Sequence, residues 1–275
     1  MDVQIFILTH KEVDECYDEQ LYSPLLTGAV FKDNTFGYLT DDTGENISDR
    51  NENYAEMTGE YWVWKNINCN IIGFTHRRRW FVKNLKFDRI TEEDILNALK
   101  THDIILPCKF KRIKSLFEYQ KESDVTFPKY DLLYDDYVNV GKVLEKYFPE
   151  YAKYYYKTMN GHVLYSNNMF ICRKELANQY FEWLFPILEK VIEEIDLTRY
   201  ENRDKRICGF LSERLLTTFV LMNELKVKEY ELYSNEAFNP YIVIIERHFP
   251  RIRKIIYKFN PFFSKFFKVV GIYKG

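Results

Sequence analysis

No run of about 18 consecutive apolar residues occurs anywhere in the 275-residue chain, so no segment is expected to span a bilayer. The opening MDVQIFILTH lacks a basic n-region, and its apolar run is too short for a secretory signal. Cysteine is sparse: Cys16, Cys69, Cys108, Cys172 and Cys208 are odd in number and widely scattered. That usage argues against a disulfide framework or a zinc knuckle and fits reduced thiols in a cytosolic compartment. Internal repeats and low-complexity blocks are also lacking. Charge of one sign is nearly absent from the total, a formal −2, but not from its distribution. Eight Lys and Arg against Glu246 alone give residues 246–275 a charge of +7, which leaves −9 on residues 1–245. The expected division is an acidic body, 1–245, followed by a basic tail, 246–275.

What is present begins with aromatics. The 22 Tyr and 22 Phe suit sugar-handling clefts, membrane surfaces and plain cores alike. Val3–Leu8 reads as a buried strand that feeds Thr9-His10-Lys11. Asp41–Tyr54 is rich in Asn, Asp and Gly44 and reads as a long irregular loop, functional or disordered. Glu56–Asn66 predicts a helix that carries Trp62 and Trp64, and Asn70–Thr75 a second strand running into His76-Arg77-Arg78-Arg79. Thr91 caps a helix with Ile95, Leu96 and Leu99 at helical spacing, and Asp103–Leu106 is a third strand stopped by Pro107. This alternation predicts an α/β fold with a mainly parallel sheet. The second half reads as helical over Tyr137–Tyr156, over Arg173–Ile195 with a kink at Pro186, and over Lys205–Lys226. Val227–Tyr233 reads as a late strand.

Four constellations could carry chemistry. His76, Arg78 and Arg79 stand where a strand ends, the place where open α/β sheets bind ligands. Guanidinium groups there match phosphate oxygens bidentately, although an exposed basic loop has the same sequence. Asp41, Asp42 and Asn46 could hold a metal, sugar hydroxyls or a proton, and equally could make turns. Glu213 and Arg214 interrupt an apolar helical run, as a structural ion pair or as a catalytic carboxylate with its partner. The tail interleaves Lys and Arg with Phe262-Phe263 and Phe266-Phe267, a pattern for lying on an anionic membrane. Nucleic acid is the rival partner for such a tail, and the acidic body argues against it.

The order of blocks is itself informative. IFILTHK (Ile5–Lys11), YSPLLTGA (Tyr22–Ala29), GYLTDDTGENIS (Gly37–Ser48) and NYAEMTGEYWVWKN (Asn53–Asn66) precede IIGFTHRRRWF (Ile71–Phe81). DIILP (Asp103–Pro107), NNMFICRKELANQYFEWLFPILEKV (Asn167–Val191) and RICGFLSERLLT (Arg206–Thr217) follow. This series resembles the capsular and exopolysaccharide synthesis glycosyltransferases long catalogued only as a domain of unknown function. One departure is Arg77, which stands where that family's block usually has an aromatic.

The resemblance implies a GT-A-like nucleotide-sugar-binding fold in surface-polysaccharide assembly, with some relatives galactofuranosyltransferases. On that footing Thr9, His10 and Lys11 are expected at the nucleotide, and His76, Arg78 and Arg79 at the diphosphate. Asp41, Asp42 and Asn46 are expected at the sugar, with Trp62 and Trp64 lining the cleft. Glu213 is the expected base, Arg206 and Arg214 its supports, and Asp42 the alternative base. The expected donor is a UDP-sugar and the acceptor a lipid-linked saccharide, handled by a cytoplasmic protein peripheral to the inner face of the plasma membrane. No Asp-x-Asp triplet stands at a strand end, so metal-independent transfer is expected, with Mn2+ or Mg2+ as the alternative. The rival reading is a non-catalytic carbohydrate-binding or scaffold subunit on the membrane.

Overall fold

A computed structural model describes residues 2–13, 18–126, 133–200 and 205–235, together with Tyr241 and Ile244. The basic tail expected at 246–275 lies outside the described residues.

The first half alternates strands and helices. β1 (Val3–Thr9) and β2 (Tyr22–Leu26) are followed by β3 (Leu39–Thr40), α1 (Asn51–Tyr54), α2 (Met57–Asn66), β4 (Ile71–His76) and β5 (Arg79–Val82). Next come α3 (Glu92–Ala98), β6 (Ile104–Pro107), β7 (Phe110–Lys111) and α4 (Leu116–Thr126). The second half holds α5 (Tyr134–Tyr147), α6 (Pro149–Met159), β8 (Val163–Leu164), β9 (Ile171–Arg173), α7 (Lys174–Glu194), α8 (Ile207–Met222) and β10 (Val227–Ser234).

The main sheet runs β3-β2-β1-β4-β5-β10-β6-β9, and β4 also pairs with β9, so the last five strands form a closed circuit of pairings. β3, β2, β1 and β4 are mutually parallel, as are β10 and β6. β5 and β9 run antiparallel to their neighbours, and the other six strands share one direction, so the sheet is mainly parallel, as expected, with two antiparallel members. These two strands, four and three residues long, are the part of the sheet that the sequence did not announce.

From Ile5 to Leu8, β1 is a continuous apolar run because both of its faces are buried there. Val3, Ile5 and Ile7 face α3 (Ile95, Ala98), whereas Phe6 and Leu8 face the helical layer. α7 supplies much of that layer, with Ala177, Phe181, Leu184, Leu188 and Val191 buried at helical spacing. The helix continues through Pro186. A single helix over Tyr137–Tyr156 was not formed: Phe148 leaves helical geometry and Pro149 opens a new helix, where its missing N–H is harmless. Thr91 caps α3 reciprocally with Asp94, as the sequence predicts. Residues 41–54 are not an irregular loop but a packed turn that ends in α1.

Candidate active site

The carboxyl ends of β1, β2 and β4 lie side by side in parallel register, and each delivers polar residues to one edge. At the end of β1 the Thr9 hydroxyl donates to the Lys11 carbonyl (2.5 Å) and accepts from the Lys11 N–H (3.1 Å). This local turn presents His10 and Lys11 at the edge. Thr27, just past β2, donates its N–H to the Thr9 carbonyl at 2.8 Å. Gly28 then turns the chain with φ 64°, where a Cβ would meet the Asn51 side chain at 2.6 Å.

The basic cluster is a hairpin rather than an exposed loop. His76 of β4 pairs with Arg79 of β5, which makes Arg77-Arg78 the connecting turn. Facing the hairpin are Glu56, which precedes α2, Asn167, which precedes β9, and Arg206, Gly209, Phe210 and Glu213 of α8. Together these elements enclose a cavity of about 880 Å³. Its walls carry six permanent cations, Lys11, Lys32, Arg77, Arg78, Arg79 and Arg206, against two carboxylates, Glu56 and Glu213.

That imbalance is felt by the histidines. Desolvation, followed by Lys11, Lys32, Arg77 and Arg206, holds His10 below the ordinary histidine value. His76 is lowered chiefly by burial, with Arg79 and Arg206 adding and Glu56 opposing. Its Nε2–H donates to the Asn167 carbonyl at 2.5 Å. Burial and the neighbouring arginines thus favour the neutral form of the His76 ring, which the Asn167 carbonyl anchors.

Glu213 is half-buried; it accepts the Asn167 N–H at 2.8 Å and pairs with Arg214 at 3.1 Å. Arg214 itself turns inward. Its guanidinium donates to the Phe210 carbonyl at 3.0 Å and lies 4.8 Å over the Tyr137 ring.

Of the residues singled out in sequence, Thr9, His10, Lys11, His76, Arg78, Arg79, Arg206 and Glu213 line the cavity. Asp41, Asp42, Asn46, Trp62, Trp64 and Arg214 do not, each for a visible reason. Asp41 is fully buried and saturated by the N–H groups of Gly28 and Ala29 (both 2.9 Å) and the hydroxyls of Ser48 and Thr58 (both 2.6 Å). Asp42 is exposed on the turn that follows. Asn46 closes that turn by donating to Gly44 and accepting from Ser48. Trp62 is buried with its Nε1–H on the Thr43 carbonyl at 2.9 Å. Trp64 stacks on Phe185 with ring centroids 5.6 Å apart. Arg214 is held in the helical layer by Tyr137.

Sequence reasoning missed Glu56, Lys32 and the pair Asn167-Asn168. The last had a readable signal. Both residues take the left-handed conformation, φ 75° and 49°, which among non-glycine residues Asn tolerates best. Among the described residues no three His, Cys, Asp or Glu side chains converge to hold a metal ion, and no helix is long and apolar enough to cross a membrane.

None of the curated proteins matches the chain. Among solved structures, the apo structure of the bifunctional glycosyltransferase WbbM is similar, with a TM-score of 0.73 and 29% identity. The match covers 86% of this chain and 46% of that one, so the chain spans about half the length of its structural relative. Residues 4–224 match a family described as a domain of unknown function, DUF4422, and the chain belongs to that family.

Proposed function

We propose that this chain is a glycosyltransferase that moves a hexose, galactofuranose among the candidates, from a UDP-sugar to a lipid-linked saccharide during capsule, exopolysaccharide or O-antigen assembly. The observation that carries this reading is the cationic wall at the carboxyl ends of the strands. Glycosyl transfer leaves negative charge on a departing nucleoside diphosphate, and preorganised cations facing that charge lower the barrier. Arg78 and Arg79 are suited to the diphosphate, with Lys11 and Arg206 beside them and the Thr9–Lys11 turn at the nucleotide. The likeness to WbbM supports transfer of this general kind. Glu213 is our candidate for the base that deprotonates the acceptor hydroxyl in an inverting displacement. The work is assigned to the cytoplasmic face of a membrane, with the basic tail as the attachment.

Calorimetry with UDP tests the wall. Arg79→Ala is expected to weaken binding by about 1.5–3 kcal/mol, the range of a charge-assisted contact. Unchanged affinity in both Arg78→Ala and Arg79→Ala would remove the diphosphate from this wall. In the same preparations Glu213→Gln is expected to slow sugar transfer about 100-fold while UDP binding persists. A non-catalytic binding subunit would show no UDP release from any nucleotide sugar.

A further inference from the structure

The cavity is lined mostly by cations, yet Glu56 opens onto it as well, across from the arginine hairpin. A carboxylate offers about four acceptor positions, and the protein fills few of those of Glu56. Oε1 accepts the Asn168 amide at 2.9 Å, and Oε2 has no hydrogen-bond partner among the described residues. Glu213 differs, because both of its oxygens are engaged.

The holding of Glu56 is built. Asn168 is 2% exposed and also donates to the Gly209 carbonyl at 2.8 Å, so its side chain is fixed between α8 and Glu56. Its φ of 49° aims the amide in that direction. Gly209 completes the seat: a Cβ there would stand 3.2 Å from Oε1 and 3.3 Å from Oε2 of Glu56. The absence of that carbon lets the carboxylate lie against α8.

We propose that Glu56, set in place by Asn168, recognises hydroxyl groups of the sugar carried by the donor. The inference rests on the glycosyl-transfer reading above. A carboxylate repels the diphosphate, which the hairpin arginines attract, so Glu56 and the hairpin favour different ends of a nucleotide sugar. Hydroxyls are the neutral donors on such a molecule that gain most from an acceptor-only group.

The test measures affinity of the full chain for UDP, for a panel of UDP-hexoses and for their monodeoxy analogues. Wild type is expected to bind one UDP-hexose more tightly than UDP. Glu56→Ala is expected to keep UDP affinity but lose about 10- to 100-fold on that UDP-hexose. Removing the recognised hydroxyl from the sugar should cost wild type a similar factor and cost Glu56→Ala nothing further. If Glu56→Ala keeps the full preference for the sugar, the assignment of Glu56 is overturned while glycosyl transfer stands. If wild type binds neither UDP nor any UDP-hexose, the underlying reading fails and takes this one with it. Should Glu56→Ala not fold, the analogues on wild type decide alone, since equal affinity for every deoxy sugar overturns the proposal. Asn168→Gly, which keeps the left-handed turn and removes the amide, is expected to reproduce the loss.

Discussion

Asp41 illustrates how a carboxylate in a suggestive motif can be wholly occupied by the fold. Its two oxygens receive four hydrogen bonds and tie the turn after β2 to the helix start at Thr58. Asp41→Ala leaves two buried N–H groups and two hydroxyls without their acceptor, and is expected to cost about 3 kcal/mol or more of stability. Denaturant unfolding checks this, and UDP affinity of the folded fraction should not change. Glu60 is the opposite case. It is fully buried, neither oxygen has a hydrogen-bond partner among the described residues, and burial, then Glu56, pushes its carboxyl well above the ordinary 4.5. The folded state therefore keeps a proton that the unfolded state gives up. Stability is full below the unfolded value and falls by about 1.4 kcal/mol per pH unit above it, until the folded group also ionises. Glu60→Met is expected to match wild type near pH 4 and to exceed it increasingly towards pH 8 in thermal unfolding. Stability curves that stay parallel across that range would show that the group is ionised in the fold.

Among the elements, the turn at Asn167-Asn168 brings the site together. Through one backbone N–H, one carbonyl and one amide it fixes Glu213, His76 and Glu56. Asn167→Val puts a β-branched side chain at φ 75°, and is expected to cost about 1–2 kcal/mol and to loosen Glu213 and His76 together. Asn167→Gly should retain both anchors, so comparing unfolding midpoints of the two variants separates conformation from side chain. The same turn marks the limit of what sequence could reveal. β1, β4 and β6 announced themselves through apolar runs, and the helices α2, α3, α7 and α8 through their residue spacing and the Thr91 cap. The hairpin between β4 and β5 did not, because its turn is arginine and carries none of the usual turn residues. Cavity residues that follow a strand, such as His10 and Arg79, were legible because strand ends point to one edge. Glu56 was not, because it comes from a helix start that only tertiary packing carries to that edge.

For the whole molecule, the asymmetry of charge is the main prediction. Residues 246–275 carry +7 and eight aromatics, and each basic residue near an anionic surface contributes about 1 kcal/mol. Truncation after Tyr241 is expected to abolish cosedimentation with phosphatidylserine vesicles while transfer to a soluble acceptor analogue persists. Binding of the full chain should weaken with salt, and indifference to vesicles at low salt would disprove the attachment. The first and last strands of the sheet also meet this edge from different directions. β1 enters at Val3, about 20 Å of strand away from the edge that it serves at Thr9. β10 pairs with β5 up to Ser234 opposite Arg79, and the Asn235 N–H then donates to the carbonyl of Arg78 at 3.2 Å. β10 thus ends at the doorstep of the cavity, on the hairpin that holds its arginines. A reporter joined directly after Asn235 is expected to sit beside the entrance, whereas one joined ahead of Val3 sits at the opposite end of β1.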